Sequence, residues 1–126
     1  MTLEIKSTLE QYFIDNWTQT QIQFDGVDFD YSNVDKWISL VYTPIKNDLI
    51  GFDGSSVGRI RNNAILKVFC YAKTVPLTYK LSDDVKTFLN GKQFADINVS
   101  IGQDRGATNL DNGFFEVLTI FEVNKF

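Results

Sequence analysis

Three stretches of the chain hold residue types whose spacing could do chemistry. Gly54-Ser55-Ser56-Val57-Gly58 has the pattern of a nucleophile elbow, in which a serine on a strand-to-helix turn attacks a carbonyl. That reaction needs a histidine base, and the chain has no histidine. A long loop precedes the stretch and a predicted strand follows it, so it reads as a glycine-serine loop tip. Asp28-Phe29-Asp30-Tyr31-Ser32 opens like a calcium loop. Its sixth position is Asn33 where glycine is needed, and its twelfth is Ser39 where a bidentate glutamate is needed. The EF-hand reading fails, and residues 25–35, with four aspartates and no basic residue, read as a solvated acidic loop. Cys70 is the only cysteine. It lies in the apolar run 66–72 and reads as a small buried hydrophobe. No glycine pattern for cradling phosphate is present. Asp96, Glu116 and Glu122 fall within predicted strands, where the solvent-facing side accounts for them. The chain is therefore expected to be no enzyme, with no catalytic residue, metal ligand set or cofactor.

Length and charge narrow the partners. A chain of 126 residues makes one domain, 1–126, and 44% hydrophobic residues suffice for a core. A net charge of −4 argues against a basic face for sequence-specific nucleic-acid binding. No segment reaches the roughly 18 apolar residues that a membrane-crossing helix needs. The first residues do not read as a signal peptide. Folding in a reducing cytoplasm without a membrane partner is the expectation.

The elements that position these residues follow from periodicity. Residues 2–17 predict a helix, with Ile5, Leu9, Tyr12 and Phe13 on one stripe and Lys6 four residues before Glu10. Residues 21–24 predict a short strand. Residues 36–42 predict a strong strand ended by Thr43-Pro44, because proline cannot donate to a ladder. A long glycine-bearing loop is expected over 45–58. Residues 59–73 predict a long strand, with Ala64, Leu66, Val68, Cys70 and Ala72 on the side that lies under a helix. That helix is expected over 77–90, with Ser82-Asp83-Asp84 resembling a cap from which the helix proper would begin and Asn90-Gly91 as its stop. A strand over 94–101, a polar loop over 102–112 and a last strand over 114–123 complete the order. Few helices are present to cross over, so the fold class is α+β: a mainly antiparallel sheet with two helices packed on one face.

Two residue types suggest contacts with other proteins. Aromatic residues make up 14% of the chain, and Tyr31, Trp37, Tyr42, Phe52, Phe114 and Phe126 fall in loops or at strand ends. Exposed aromatics of that kind suit protein interfaces. The three arginines, Arg59, Arg61 and Arg105, all lie in or beside long loops. Arginine is the residue suited to bidentate carboxylate pairing between subunits. Trp37, Arg59, Arg61, Asp104 and Arg105 are thus the candidate interface residues.

The arrangement resembles a known family. An N-terminal helix reaches a tryptophan at position 17, and an acidic spacer follows. Trp37-Ile38-Ser39-Leu40-Val41-Tyr42 precedes a long glycine-bearing loop, and Gly58-Arg59-Ile60-Arg61 opens a long strand. Residues 81–91 then form a helix with an apolar-apolar-polar-glycine stop before two closing strands. This layout resembles the tail terminator, or tail completion, proteins of long-tailed bacteriophages, the minor tail protein U group. It departs from them in having Val75-Pro76 where a proline-glycine-rich turn is often found. The resemblance implies a structural virion protein at the tail-neck junction, assembled in the bacterial cytoplasm as a ring, usually a hexamer. Such a ring caps the tail tube, stops addition of the major tail tube protein and meets the head-completion or connector protein, while DNA passes through it. Two other readings stay open: another phage neck, tube or head-closure component, and a small-ligand-binding α+β domain with a pocket between sheet and helices.

Overall fold

The computed structural model describes residues 2–30, 32–50, 59–94 and 97–125, with side chains for 5–30, 32–44, 64–94 and 97–124. The elements in chain order are α1 (Thr2–Asn16), β1 (Gln21–Gln23), β2 (Lys36–Ile50), β3 (Arg59–Ala72), α2 (Val75–Leu89), β4 (Gln93–Phe94), β5 (Ile97–Val99), β6 (Gln103–Asp104), β7 (Thr108–Asn109) and β8 (Phe115–Lys125). One sheet runs β1-β2-β3-β8-β5-β4, with β6 and β7 also paired to β8. Among the described residues only β1 and β2 are parallel. The remaining pairs are antiparallel. The fold is α+β, as the periodicities predicted.

Alternation along the strands separates two faces. Ile38 and Leu40 of β2, Ala64, Leu66, Val68 and Cys70 of β3, and Phe121 and Val123 of β8 share one core cluster. Ile5, Leu9, Phe13 and Trp17 from the α1 segment and Leu81, Val85 and Leu89 from α2 complete it. Both helices thus cover the same face. The Lys6–Glu10 pair forms at 3.8 Å on the wet side of α1, where such a pair contributes about 0.3–0.5 kcal/mol.

Four expectations need correction. The single strand expected over 94–101 is instead two short strands, β4 and β5, paired antiparallel with Phe94 opposite Ile97. β2 does not end at Thr43-Pro44: it continues to Ile50, with Pro44 opposite Ala64 of β3. β1 covers β2 only from Trp37 to Ser39, so Pro44 lies on an edge strand, where a missing N–H need cost no ladder bond. α2 starts at Val75 and not at 77 or 82. Thr74 caps it by accepting the Leu77 N–H at 3.3 Å, and Pro76 sits in the first turn, where its absent N–H is harmless. Ser82 is fully buried in mid-helix. Finally, 102–112 is no free loop, since it contributes β6 and β7 to the edge of β8.

Gly102 shows why that edge can pack closely. A Cβ there would lie 2.6 Å from the Phe121 ring and 3.0 Å from the Thr119 methyl. Phe121 and Thr119 are fully buried and cannot give way cheaply. Gly102→Ala is therefore expected to cost about 1–3 kcal/mol by overpacking, read from the urea unfolding midpoint. An unchanged midpoint would mean that the segment does not rest on Phe121.

Candidate functional site

With both helices on one side, the other face of the sheet lies under neither of them; four rungs cross it, and Trp37 and Ser39 on it are nevertheless buried. From one end they read Thr43/Ile65/Glu122, Val41/Lys67/Ile120, Ser39/Phe69/Leu118 and Trp37/Tyr71/Glu116 across β2, β3 and β8. Val41, Ile65, Lys67, Phe69, Leu118 and Ile120 are all half-buried. This face carries five apolar side chains around one lysine, with Glu116 and Glu122 at its ends.

One end of the face is closed by aromatic stacking. Trp37 lies against Tyr71 with ring centroids 4.3 Å apart and planes 15° apart. Phe29, from the acidic loop, stacks on Trp37 at 5.6 Å, and Phe114 meets it edge-on at 4.6 Å. Lys73 sits 4.0 Å from the centroid of the Phe114 ring. Burial and the neighbouring Glu116 carboxylate push the Tyr71 phenol well above its ordinary range. The acidic loop thus has a structural task, which is to lay Phe29 over Trp37.

A second feature lies on the helix side. α2 carries a polar stripe, Tyr79, Ser82, Lys86 and Asn90, at spacings of three, four and four. Asn90 Oδ1 accepts the Gly102 N–H at 2.8 Å. Lys86 Nζ donates to Asp104 Oδ2 at 2.7 Å. Ser82 Oγ and Thr119 Oγ1 donate to Asp104 Oδ1 at 2.6 and 3.0 Å. Tyr79 Oη accepts the Ala107 N–H at 3.1 Å. The result is a polar seam between α2 and the segment that holds β6. No proton acceptor faces Ser82 other than Asp104 and Thr119 among the described residues, so the seam reads as a fastening.

The seam's charges are mutually stabilised. Burial pushes the Asp104 carboxyl up, but hydrogen bonds from Lys86, Ser82 and Thr119 and the Lys86 charge outweigh it, leaving a net lowering. The Asp104 hydrogen bond raises Lys86, against partial desolvation. The Asp104 contribution is present above its unfolded value of about 3.9 and is lost as pH falls through the lower folded value. The Lys86 contribution is present below about 10.4 and is lost as pH rises through its higher folded value. Carboxyl NMR titration is expected to give Asp104 a midpoint below about 3.9. A midpoint at or above that value would mean that the seam does not hold in solution.

The five candidate residues do not form one site. Trp37 is 4% exposed and belongs to the stacked end of the sheet. Asp104 is the centre of the seam. Arg105 is exposed beside it, its backbone N–H bonded to the Leu118 carbonyl at 2.7 Å. Arg59 and Arg61 are at the far end of the β2–β3 hairpin, beyond Asn62, where β8 stops. The register sets Asp48 across from Arg61 and Ile50 across from Arg59. Of the other aromatics singled out, Phe114 is buried and Tyr42 is half-buried against the core. Tyr31, Phe52 and Phe126, with the 54–58 stretch, lie outside the described residues. Cys70 is fully buried, and burial pushes its thiol far above the ordinary range. The seam residues on α2 were not singled out from the sequence, although their helical spacing beside the apolar stripe was readable.

One further surface bears on function. An open groove runs along α1, lined by Ser7, Gln11, Tyr12, Asp15, Asn16 and Phe94. Its lining mixes hydroxyl, amide and carboxylate side chains with the Tyr12 and Phe94 rings. Among the described residues no helix is long and apolar enough to cross a membrane.

No family model matches the chain. No curated protein matches it. Among solved structures it is similar to one at a TM-score of 0.65 and 8% identity, over 97% of this chain and 90% of that one. At that identity the likeness concerns the fold alone.

Proposed function

We propose that the chain is a structural virion protein of the tail-terminator kind, which forms a ring on the end of a phage tail tube and has no enzymatic activity. The observation that carries this reading is the uncovered sheet face. A ring built from repeated head-to-tail contacts needs two different patches on each subunit. The half-buried apolar face supplies one, and the overhanging end of the β2–β3 hairpin, with Arg59 and Arg61, supplies the other. The family-like element order noted in the sequence supports the same reading. The partners in this reading are further copies of the chain, the major tail tube protein and the head-completion or connector protein. A net charge of −4 per subunit suits a pore through which DNA passes without adhering.

Sedimentation of the purified chain tests assembly. A closed ring, six copies in the tail-terminator case, is expected at low salt, loosening as ionic strength rises because rim ion pairs are screened. Arg59→Glu is expected to weaken the ring while the urea midpoint of the subunit stays within about 0.5 kcal/mol of the parent. Reversal of Arg61 is a poorer probe, because it would set two acids across one rung with Asp48. A chain that stays monomeric at every concentration, or an Arg59→Glu variant that assembles as the parent does, would count against this interface.

A further inference from the structure

The segment between Val99 and Phe114 is held differently from the rest of the fold. Its ends are anchored by buried apolar side chains: Ile97 and Val99 on one side and Phe114 on the other, each 3% exposed. Between these anchors no residue is buried, and Ile101 is 71% exposed. Its two strands have two residues each, against eleven in β8. It runs antiparallel to β8 and is hydrogen-bonded to Tyr79, Ser82, Lys86 and Asn90 along α2 and its C-cap, with Ala107 and Leu110 half-buried. Bonds to β8 include Ser100 N–H to the Glu122 carbonyl, Glu122 N–H to Ser100 Oγ, and Arg105 N–H to the Leu118 carbonyl.

Polar contacts exchange for water at small net cost, whereas buried apolar contacts do not. A segment fastened by polar contacts over its middle and by apolar contacts at its ends can therefore open without unfolding its neighbours. At Gly102 the segment rests on Phe121 and Thr119 with backbone and no side chain, so lifting it there uncovers only the edges of those two residues. Opening uncovers the Leu118 and Glu122 backbone groups and leaves β8 with an unpaired edge.

We propose that residues 100–110 are a strap that lifts from β8 as one unit while both helices and strands β2, β3 and β8 stay folded, with Asp104 as its catch. The strap is independent of the ring reading, since it rests on contacts within one subunit.

Native-state hydrogen exchange at neutral pH on the parent chain, Asp104→Asn and Tyr79→Phe tests this. In the parent, the amides of Ser100, Gly102, Arg105, Ala107 and Glu122 are expected to exchange at least about 100-fold faster than those of residues 65–71 in β3. Asp104→Asn is expected to speed the first set about tenfold or more and leave β3 unchanged. Tyr79→Phe removes one acceptor at a side chain 36% exposed, and is expected to act in the same direction and more weakly. Equal exchange of strap and β3, equal acceleration of both sets, or no acceleration in either variant would overturn the strap. If Asp104→Asn does not fold, Tyr79→Phe decides by the same local-against-uniform comparison.

Discussion

Trp37→Ala is expected to destabilise the chain by about 3–5 kcal/mol, a large share of the roughly 5–15 kcal/mol that holds a domain folded. The ring is 4% exposed and touches aromatic partners on three sides, Phe29, Tyr71 and Phe114. Removing it leaves a cavity that these neighbours cannot fill together, because Phe29 comes from a loop, Tyr71 from β3 and Phe114 from the turn that leads into β8. Aromatic pair terms of about 0.5–1.5 kcal/mol each add to the lost burial. Trp37→Phe keeps much of the contact and is expected to lose less than half as much. Urea unfolding reads both. If Trp37→Ala costs under about 1 kcal/mol, the stacked end does not exist as described and Trp37 is free to serve an interface.

The second large effect concerns assembly. Leu118→Lys places a charge in the middle of the uncovered face, beside Phe69 and Ser39 on its rung. A lysine stem can still cover the neighbouring apolar surface while its ammonium reaches water, and Glu116 and Glu122 share its face two and four residues away along β8. The subunit is expected to keep its unfolding midpoint within about 1 kcal/mol. In a ring that buries this face, the same charge is desolvated without a partner, and subunit contact is expected to weaken by about 2 kcal/mol or more, roughly 30-fold. A Leu118→Lys chain that assembles like the parent would exclude this face from the ring.

Much of the fold was legible because its main elements have one-sided patterns. α1 has apolar residues at three- and four-residue spacing, and β3 sets apolar residues at every second position from Ala64 to Ala72, so each announces its own covered side. What was missed depends on partners distant in sequence. The two-residue strands β6 and β7 carry no alternation of their own and exist because β8 and the α2 stripe hold them. Ser82-Asp83-Asp84 looks like a cap in composition, but Ser82 is polar because Asp104, 22 residues later, meets it. Pro44 reads as a strand end unless β1 is known to stop short of it. Trp37 reads as an exposed aromatic until Phe29 and Phe114 are seen to enclose it. The candidate site was harder to read than the fold, because the uncovered face is defined by where the helices are absent.

The proposed capping role is tested most directly by electron microscopy of growing tail tubes with and without the purified chain. Added to polymerising tube protein, a terminator is expected to form a ring at one tube end and halt elongation, shortening tubes as its concentration rises. Tubes that grow to the same length, with no ring at their ends, or that take the chain up along their length, would contradict it.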